Sequence, residues 1–130
     1  MIVLDANVIV AFLDRMDALH GSAVQEIRKF QAERFITLNI LLAEAYSVIA
    51  RRCREKGKDC QRPLSVLREF ESSVDIVWVE DIKERHSRIV DGIITSNGRL
   101  NYNDVVLMEF IKQKGVKLLT FDRILRKYLS

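Results

Sequence analysis

Met1-Ile2-Val3-Leu4-Asp5-Ala6-Asn7-Val8-Ile9-Val10 opens with an unbroken apolar run and then sets one acid and one amide inside an otherwise apolar segment. A strand wet on one face alternates apolar and polar residues, whereas a strand covered on both faces of a parallel sheet reads as a continuous apolar run. Residues 1–4 therefore predict a buried strand, and Asp5 marks its carboxyl end, where open α/β sheets place their ligands. Outward from this stretch, similar runs at residues 35–38, 74–79 and 116–120 predict three more strands. Between them the period turns helical, over residues 8–13, 22–31, 40–56, 64–70, 82–95, 105–114 and 124–129. Asn39 reads as an N-cap, Pro63 as a helix opening and Gly115 as a helix stop. Strands alternating with helices predict a parallel-sheet α/β/α sandwich.

A chain of 130 residues fits one domain, residues 1–130, with a self-sufficient core. Its 48% hydrophobic and 30% charged residues, with one proline, argue against disorder. The longest apolar stretch, residues 40–50, is broken by Glu44 and falls short of the ~20 residues of a membrane span. The first residues show no basic leader, so the cytoplasm is the expected compartment. Cys53 and Cys60 lack histidine neighbours, which sets zinc aside; a disulfide between them and two separate thiols both stay open. A net charge of +3 permits an anionic partner without demanding one.

Acids in apolar surroundings carry the chemistry. Glu44 has Ile40, Leu41, Ser47 and Val48 as its helical neighbours, so its carboxylate points with the apolar face. A buried carboxylate needs a cation, a metal or strong donors; a salt bridge to Arg51 is the structural alternative. Asp104 opens Asp104-Val105-Val106-Leu107-Met108, with Asn101 or Asn103 as candidate caps, and Asp122 ends the strand Val116-Lys117-Leu118-Leu119-Thr120-Phe121. For Asp5, Asp104 and Asp122 an ordinary capping role is the alternative. Brought together, four carboxylates do not stay ionised without counter-cations, since two of them ~4 to 5 Å apart repel by roughly 3 to 4 kcal/mol. Hard oxygen ligands select Mg²⁺ or Mn²⁺, and such ions serve phosphodiester hydrolysis.

At this point the sequence resembles the PIN-domain nucleases. The likeness rests on Asp5-Ala6-Asn7 after the first strand, Glu44 in the helix after the second, Asn103-Asp104 opening a late helix, and Thr120-Phe121-Asp122-Arg123 near the C-terminus. The length is similar to that of stand-alone VapC-type toxins of toxin-antitoxin pairs. The resemblance implies that Asp5, Glu44, Asp104 and Asp122 are catalytic metal ligands for one or two Mg²⁺ or Mn²⁺ ions. Asn7, Asn101, Asn103 and Thr120 then serve as supporting or substrate-positioning groups, and Arg123 meets phosphate. Two departures stand out: Asn101 where many relatives have a hydroxyl residue, and Ile124-Leu125 where many have a further acid. The second bears on whether a second ion binds. The implied activity is metal-dependent endoribonuclease cleavage, with RNA as substrate and an antitoxin as partner. A homodimer is expected through apolar faces of residues 8–13 and 40–56.

Candidate RNA contacts are Arg51, Arg52, Arg54, Lys56 and Lys58, then Lys83, Arg85 and Arg88, then Arg123, Arg126 and Lys127; solvated helix surface is the alternative for each group. Tyr46, Tyr102 and Trp78 are candidate stacking residues, although a core position is expected for Trp78. A haloacid-dehalogenase-type phosphatase needs a second aspartate where Asn7 stands, and a receiver-like phosphoacceptor needs an aspartate and a lysine that the later strands lack. An RNA-processing nuclease without a toxin role, and an inactive PIN-like module binding RNA or protein, remain the other readings.

Overall fold

The computed structural model describes residues 1–130. The chain runs β1 (Ile2–Leu4), α1 (Ala6–Leu13), α2 (His20–Lys29), β2 (Phe35–Leu38), α3 (Asn39–Glu55), α4 (Gln61–Phe70), a single 3₁₀ turn, β3 (Asp75–Val77), α5 (Ile82–Thr95), α6 (Tyr102–Lys114), β4 (Lys117–Leu119) and α7 (Arg123–Leu129). All strand pairs are parallel, in the order β3-β2-β1-β4. Register sets Val3 opposite Ile36 on one side and Leu118 on the other, so β1 lies inside the sheet as its apolar run requires.

Side-chain alternation on β1 divides the core. Val3 points into a cluster with Ile36, Leu38, Ile89, Val106 and Leu125, which α5, α6 and α7 cover. Ile2 and Leu4 point the other way, against Ile9, Leu42 and Leu67 of α1, α3 and α4. Two apolar layers on one sheet make the α/β/α sandwich. No helix is long and apolar enough to cross a membrane.

The strand order decides where a site can form. From β1 the chain steps outward to β2 and β3, then returns to pair β4 on β1's other side. The order thus reverses between β1 and β4, and the crevice outside their carboxyl ends is where such folds bind ligands. Asp5 follows β1 and Asp122 follows β4.

Several local expectations change. Asn39 is the first residue of α3 rather than its cap, and its Oδ1 accepts a 2.8 Å hydrogen bond from the Val79 amide, joining the chain after β2 to the chain after β3. Pro63 sits in the first turn of a helix that opens at Gln61. Gly115 ends α6 at φ +64°, the left-handed geometry that glycine adopts without a Cβ clash. Trp78 lies past the end of β3 and is 68% exposed, because the edge strand stops at Val77 before it can bury the ring. Val8, Ile9, Val10 and Ala11 are buried within this chain, while Phe12 and Leu13 at the end of α1 stay partly exposed. Cys53 and Cys60 carry free thiols.

Candidate active site

Asp5 holds the floor of the crevice. It caps α1, with Oδ1 accepting from the Ala6 amide at 2.7 Å, while Oδ2 accepts from the Thr120 hydroxyl at 2.7 Å. It is only 6% exposed. Burial pushes its carboxyl up to about 6, against the pull of the Thr120 and Ala6 hydrogen bonds, and the charges of Glu44 and Asp104 push it further. Capping and convergence are both true of Asp5.

Thr120 joins the two strand ends. Besides donating to Asp5, its hydroxyl oxygen accepts from the Asp122 amide at 3.0 Å. Asn7 spans the same gap: its Nδ2 lies 3.3 Å from the Thr120 hydroxyl oxygen, and its Oδ1 accepts from the Phe121 amide at 3.1 Å. The turn after β4 is thereby tied to the turn after β1, which aims Asp122 at the crevice. Asp122 caps α7, its Oδ1 accepting from the Ile124 and Leu125 amides at 2.9 and 3.1 Å.

Asn101 caps α6. Its side chain accepts from the Asp104 amide at 2.8 Å, and Asp104 Oδ2 accepts from the Asn101 amide at 3.0 Å, a reciprocal capping box. Burial raises the Asp104 carboxyl above the ordinary range, with Asp122 and Glu44 adding repulsion. Glu44, half-buried on α3, accepts from Asn103 Nδ2 at 2.8 Å through Oε1. Asn103 is therefore its structural partner, and Arg51 pairs with Glu55 instead, at 4.0 Å.

The four acids share one field: Glu44 and Asp104 act on Asp5, and Asp122 and Glu44 act on Asp104. None of the four forms a salt bridge with any cation of the chain, whose ion pairs use other acids. Glu44, Asp104 and Asp122 each bind a neighbouring donor through one oxygen and leave the other for something else. No three of the carboxylates stand in chelating geometry in this structure. The donor chemistry nevertheless fits a hard divalent cation, because an all-carboxylate set in which Asp5 and Asp104 are raised by burial and by neighbouring acids gains from a positive charge.

A cleft of about 670 Å³ leads away from this site. Asn7 and Glu44 line its acidic end, Arg51 and Lys56 its basic end, with Val10 and Val48 between. Its wall is built by residues the sequence did not single out: Asp14 and Asp17, after α1, both bind Arg52 Nη1, at 2.9 and 2.8 Å. No local signal marks that pairing, which joins residues 38 and 35 positions apart. Arg85 is likewise held, by Glu109 at 2.7 Å, with Arg88 on the same carboxylate. Arg123 opens α7 beside Asp122 and is exposed.

An open parallel sheet with an acidic site at the crevice between β1 and β4 defines the class of protein. The chain belongs to the PIN domain family, whose model matches residues 2–128. Among solved structures it is similar to Mycobacterium tuberculosis VapC20, described as a sarcin-ricin loop cleaving toxin, at 18% identity and TM-score 0.76, covering 98% of this chain and 95% of that one. It is also similar to PAE2754 from Pyrobaculum aerophilum, at 17% identity and TM-score 0.69 over 95% and 76% of the two chains. Rickettsia felis VapBC2, bound to a DNA fragment from its promoter, matches at 17% identity and TM-score 0.64 over 94% and 88%. At these identities the likeness is one of fold. No curated protein matches the sequence.

Proposed function

We propose that this chain is a Mg²⁺- or Mn²⁺-dependent endoribonuclease that hydrolyses RNA phosphodiester bonds and serves as the toxin of a toxin-antitoxin pair. The observation that carries the reading is a set of four acids, in a PIN domain, that repel one another and have no cation of their own. The description of VapC20 as an RNA-loop-cleaving toxin and of VapBC2 as a promoter-bound complex supports the toxin assignment and an antitoxin partner.

Asp5, Glu44, Asp104 and Asp122 would hold one or two ions. The bound ion supplies charge for the phosphoryl oxygens and lowers the pKa of an attacking water. The remaining work falls to the chain. Thr120 locks the Asp5 carboxylate, Asn103 orients Glu44, and Asn7 with Thr120 fixes the turn that presents Asp122. Arg51 and Arg123 are the cations best placed to meet phosphate, since both are exposed and Arg51 has only a long, solvent-facing pair. Contact of RNA with Arg52 or Arg85 would have to compete with Asp14, Asp17 and Glu109. A homodimer would use the apolar surface left on α1, at Phe12 and Leu13, and on α3.

The test is cleavage of a mixed pool of structured and single-stranded RNA with Mg²⁺ or Mn²⁺, comparing wild type, Asp104→Asn and an EDTA control. Metal-dependent cutting that the variant loses supports the reading. Absence of both cutting and calorimetric metal binding would replace it with the inactive RNA- or protein-binding module.

A further inference from the structure

Away from the acidic crevice, α3 and α4 meet in a short turn that brings the only two cysteines of the chain together. Cys53 lies in the last turn of α3 and is 7% exposed; Cys60 stands at the start of α4 and is partly exposed. Both thiols donate to one acceptor, the Lys58 carbonyl oxygen, at 3.3 Å from Cys53 Sγ and 3.5 Å from Cys60 Sγ. Two sulfurs on a single oxygen are necessarily near neighbours. The Lys58 amide in turn bonds the Cys53 carbonyl at 3.1 Å, so the turn that holds the pair is itself pinned.

We infer that Cys53 and Cys60 form a reactive dithiol, a modification site that closes to an intramolecular disulfide by exchange with a small-molecule disulfide such as oxidised glutathione. The difference in exposure orders the steps. Cys60 meets solvent and attacks first: as thiolate, having released its proton to solvent, it displaces one glutathione thiolate and becomes a mixed disulfide. Cys53, sheltered from the bulky reagent, then loses its proton to solvent and attacks the Cys60 sulfur, expelling the second glutathione thiolate. The chain gives up two electrons and two protons, and oxidised glutathione becomes two molecules of reduced glutathione.

Hydrogen bonding to Cys60 raises the Cys53 thiol above its ordinary range and burial adds to it, which keeps Cys53 protonated while Cys60 is free. The adjoining cavity, about 300 Å³, is lined by Cys53 and not by Cys60, and carries Arg15, Lys56, Lys58 and Arg62 against Asp14 and Asp59, a cationic excess beside the dithiol suited to an anionic reagent such as oxidised glutathione. Arg52, next to Cys53 in sequence, also lines this cavity and holds Asp14 and Asp17, so closure would brace the wall of the cleft that begins at Glu44. The inference is independent of the nuclease reading.

The experiment incubates the reduced, full-length protein in buffers of graded oxidised-to-reduced glutathione ratio and reads intact mass, free thiols and a peptide map. The expected result is loss of both thiols together, a chain lighter by two hydrogens with no retained glutathione, and a peptide linking Cys53 to Cys60. Cys53→Ser is expected to trap glutathione on Cys60, and Cys60→Ser to leave Cys53 unreacted at the same ratios. A stable glutathione adduct on the wild-type chain, covalent dimers through Cys60, or two thiols that persist at strongly oxidising ratios would each overturn the inference. Because the wild-type mass and map decide the matter alone, a variant that fails to fold does not affect the outcome.

Discussion

Two sets of carboxylates in this molecule face opposite electrostatics. Around Arg52 and around Arg85 and Arg88, each half-buried acid has a guanidinium: despite the upward push of burial, the Met16 amide and Arg52 hold Asp14 below its ordinary range, and Arg85 and Arg88 do the same for Glu109. At the β1–β4 crevice, burial works in the same direction but no arginine or lysine answers it, and Asp5 and Asp104 are raised. The first arrangement is complete within the chain and joins elements. The second has no cation within the chain, and its repulsion opposes folding. On the proposed reading, these four acids, left unpaired in a chain that pairs acids elsewhere, are the ones an external charge would meet.

The sharpest way to break this comparison is to remove a charge from the incomplete set. Asp104→Asn keeps an oxygen acceptor for the Asn101 amide and so preserves the start of α6, yet RNA cleavage is expected to fall by about two orders of magnitude or more in a metal-supplemented assay. Retained activity would move the site elsewhere. Next in size, millimolar Mn²⁺ or Mg²⁺ should stabilise the wild-type chain by on the order of 1 kcal/mol in thermal melts and leave an Asp5→Asn, Asp104→Asn double variant unmoved.

Without divalent ions, Asp5→Asn should itself stabilise the fold, on the order of 1 kcal/mol at pH 7.5. The sign follows from proton binding: the folded carboxyl, at about 6, holds its proton more tightly than the unfolded one at 3.8, so ionised Asp5 costs stability above pH 6 and not below pH 4. Denaturant titrations at pH 7.5 and pH 4 should show the advantage of the variant at the first pH alone. Glu109→Gln tests the complete set and carries the opposite sign. It should destabilise by about 1 kcal/mol or less at neutral pH, given its partly exposed partners, and the loss should vanish as pH falls below 4.5, where the wild-type carboxyl too becomes protonated. An equal effect of the two variants at neutral pH would erase the distinction between the regions.

Much of this contrast is legible in the sequence for one set and hidden for the other. Asp5, Glu44, Asp104 and Asp122 stand out because each interrupts, opens or ends an apolar run, and burial of a carboxylate is costly enough to need a reason. Asp14 and Asp17 lie in a mixed segment that announces nothing, Arg52 and Arg85 read as candidate RNA contacts, and Glu109 interrupts an apolar run as Glu44 does, so nothing local separates the paired acid from the unpaired one. Asn103 was expected to support the site, but its bond to Glu44 was not foreseen, because the two are 59 positions apart. Trp78 illustrates the reverse failure. Its apolar surroundings predict burial, yet an edge strand that ends one residue earlier leaves the ring in solvent.

The amino-acid sequence by itself determined the alternation of strands and helices and the burial of β1 on both faces, and it offered Asp5, Asp122 and either Asn101 or Asn103 as caps. Those features depend on side-chain period and on hydrogen bonds within a few residues, energies that are local in the chain. Only the tertiary structure decided that β4 returns to pair with β1, and hence that Thr120 reaches Asp5 across 115 positions, and that Arg52 meets Asp14 and Asp17. Such contacts form because the packing of two apolar layers brings distant strand ends to one edge. No short-range preference encodes which polar groups then meet there.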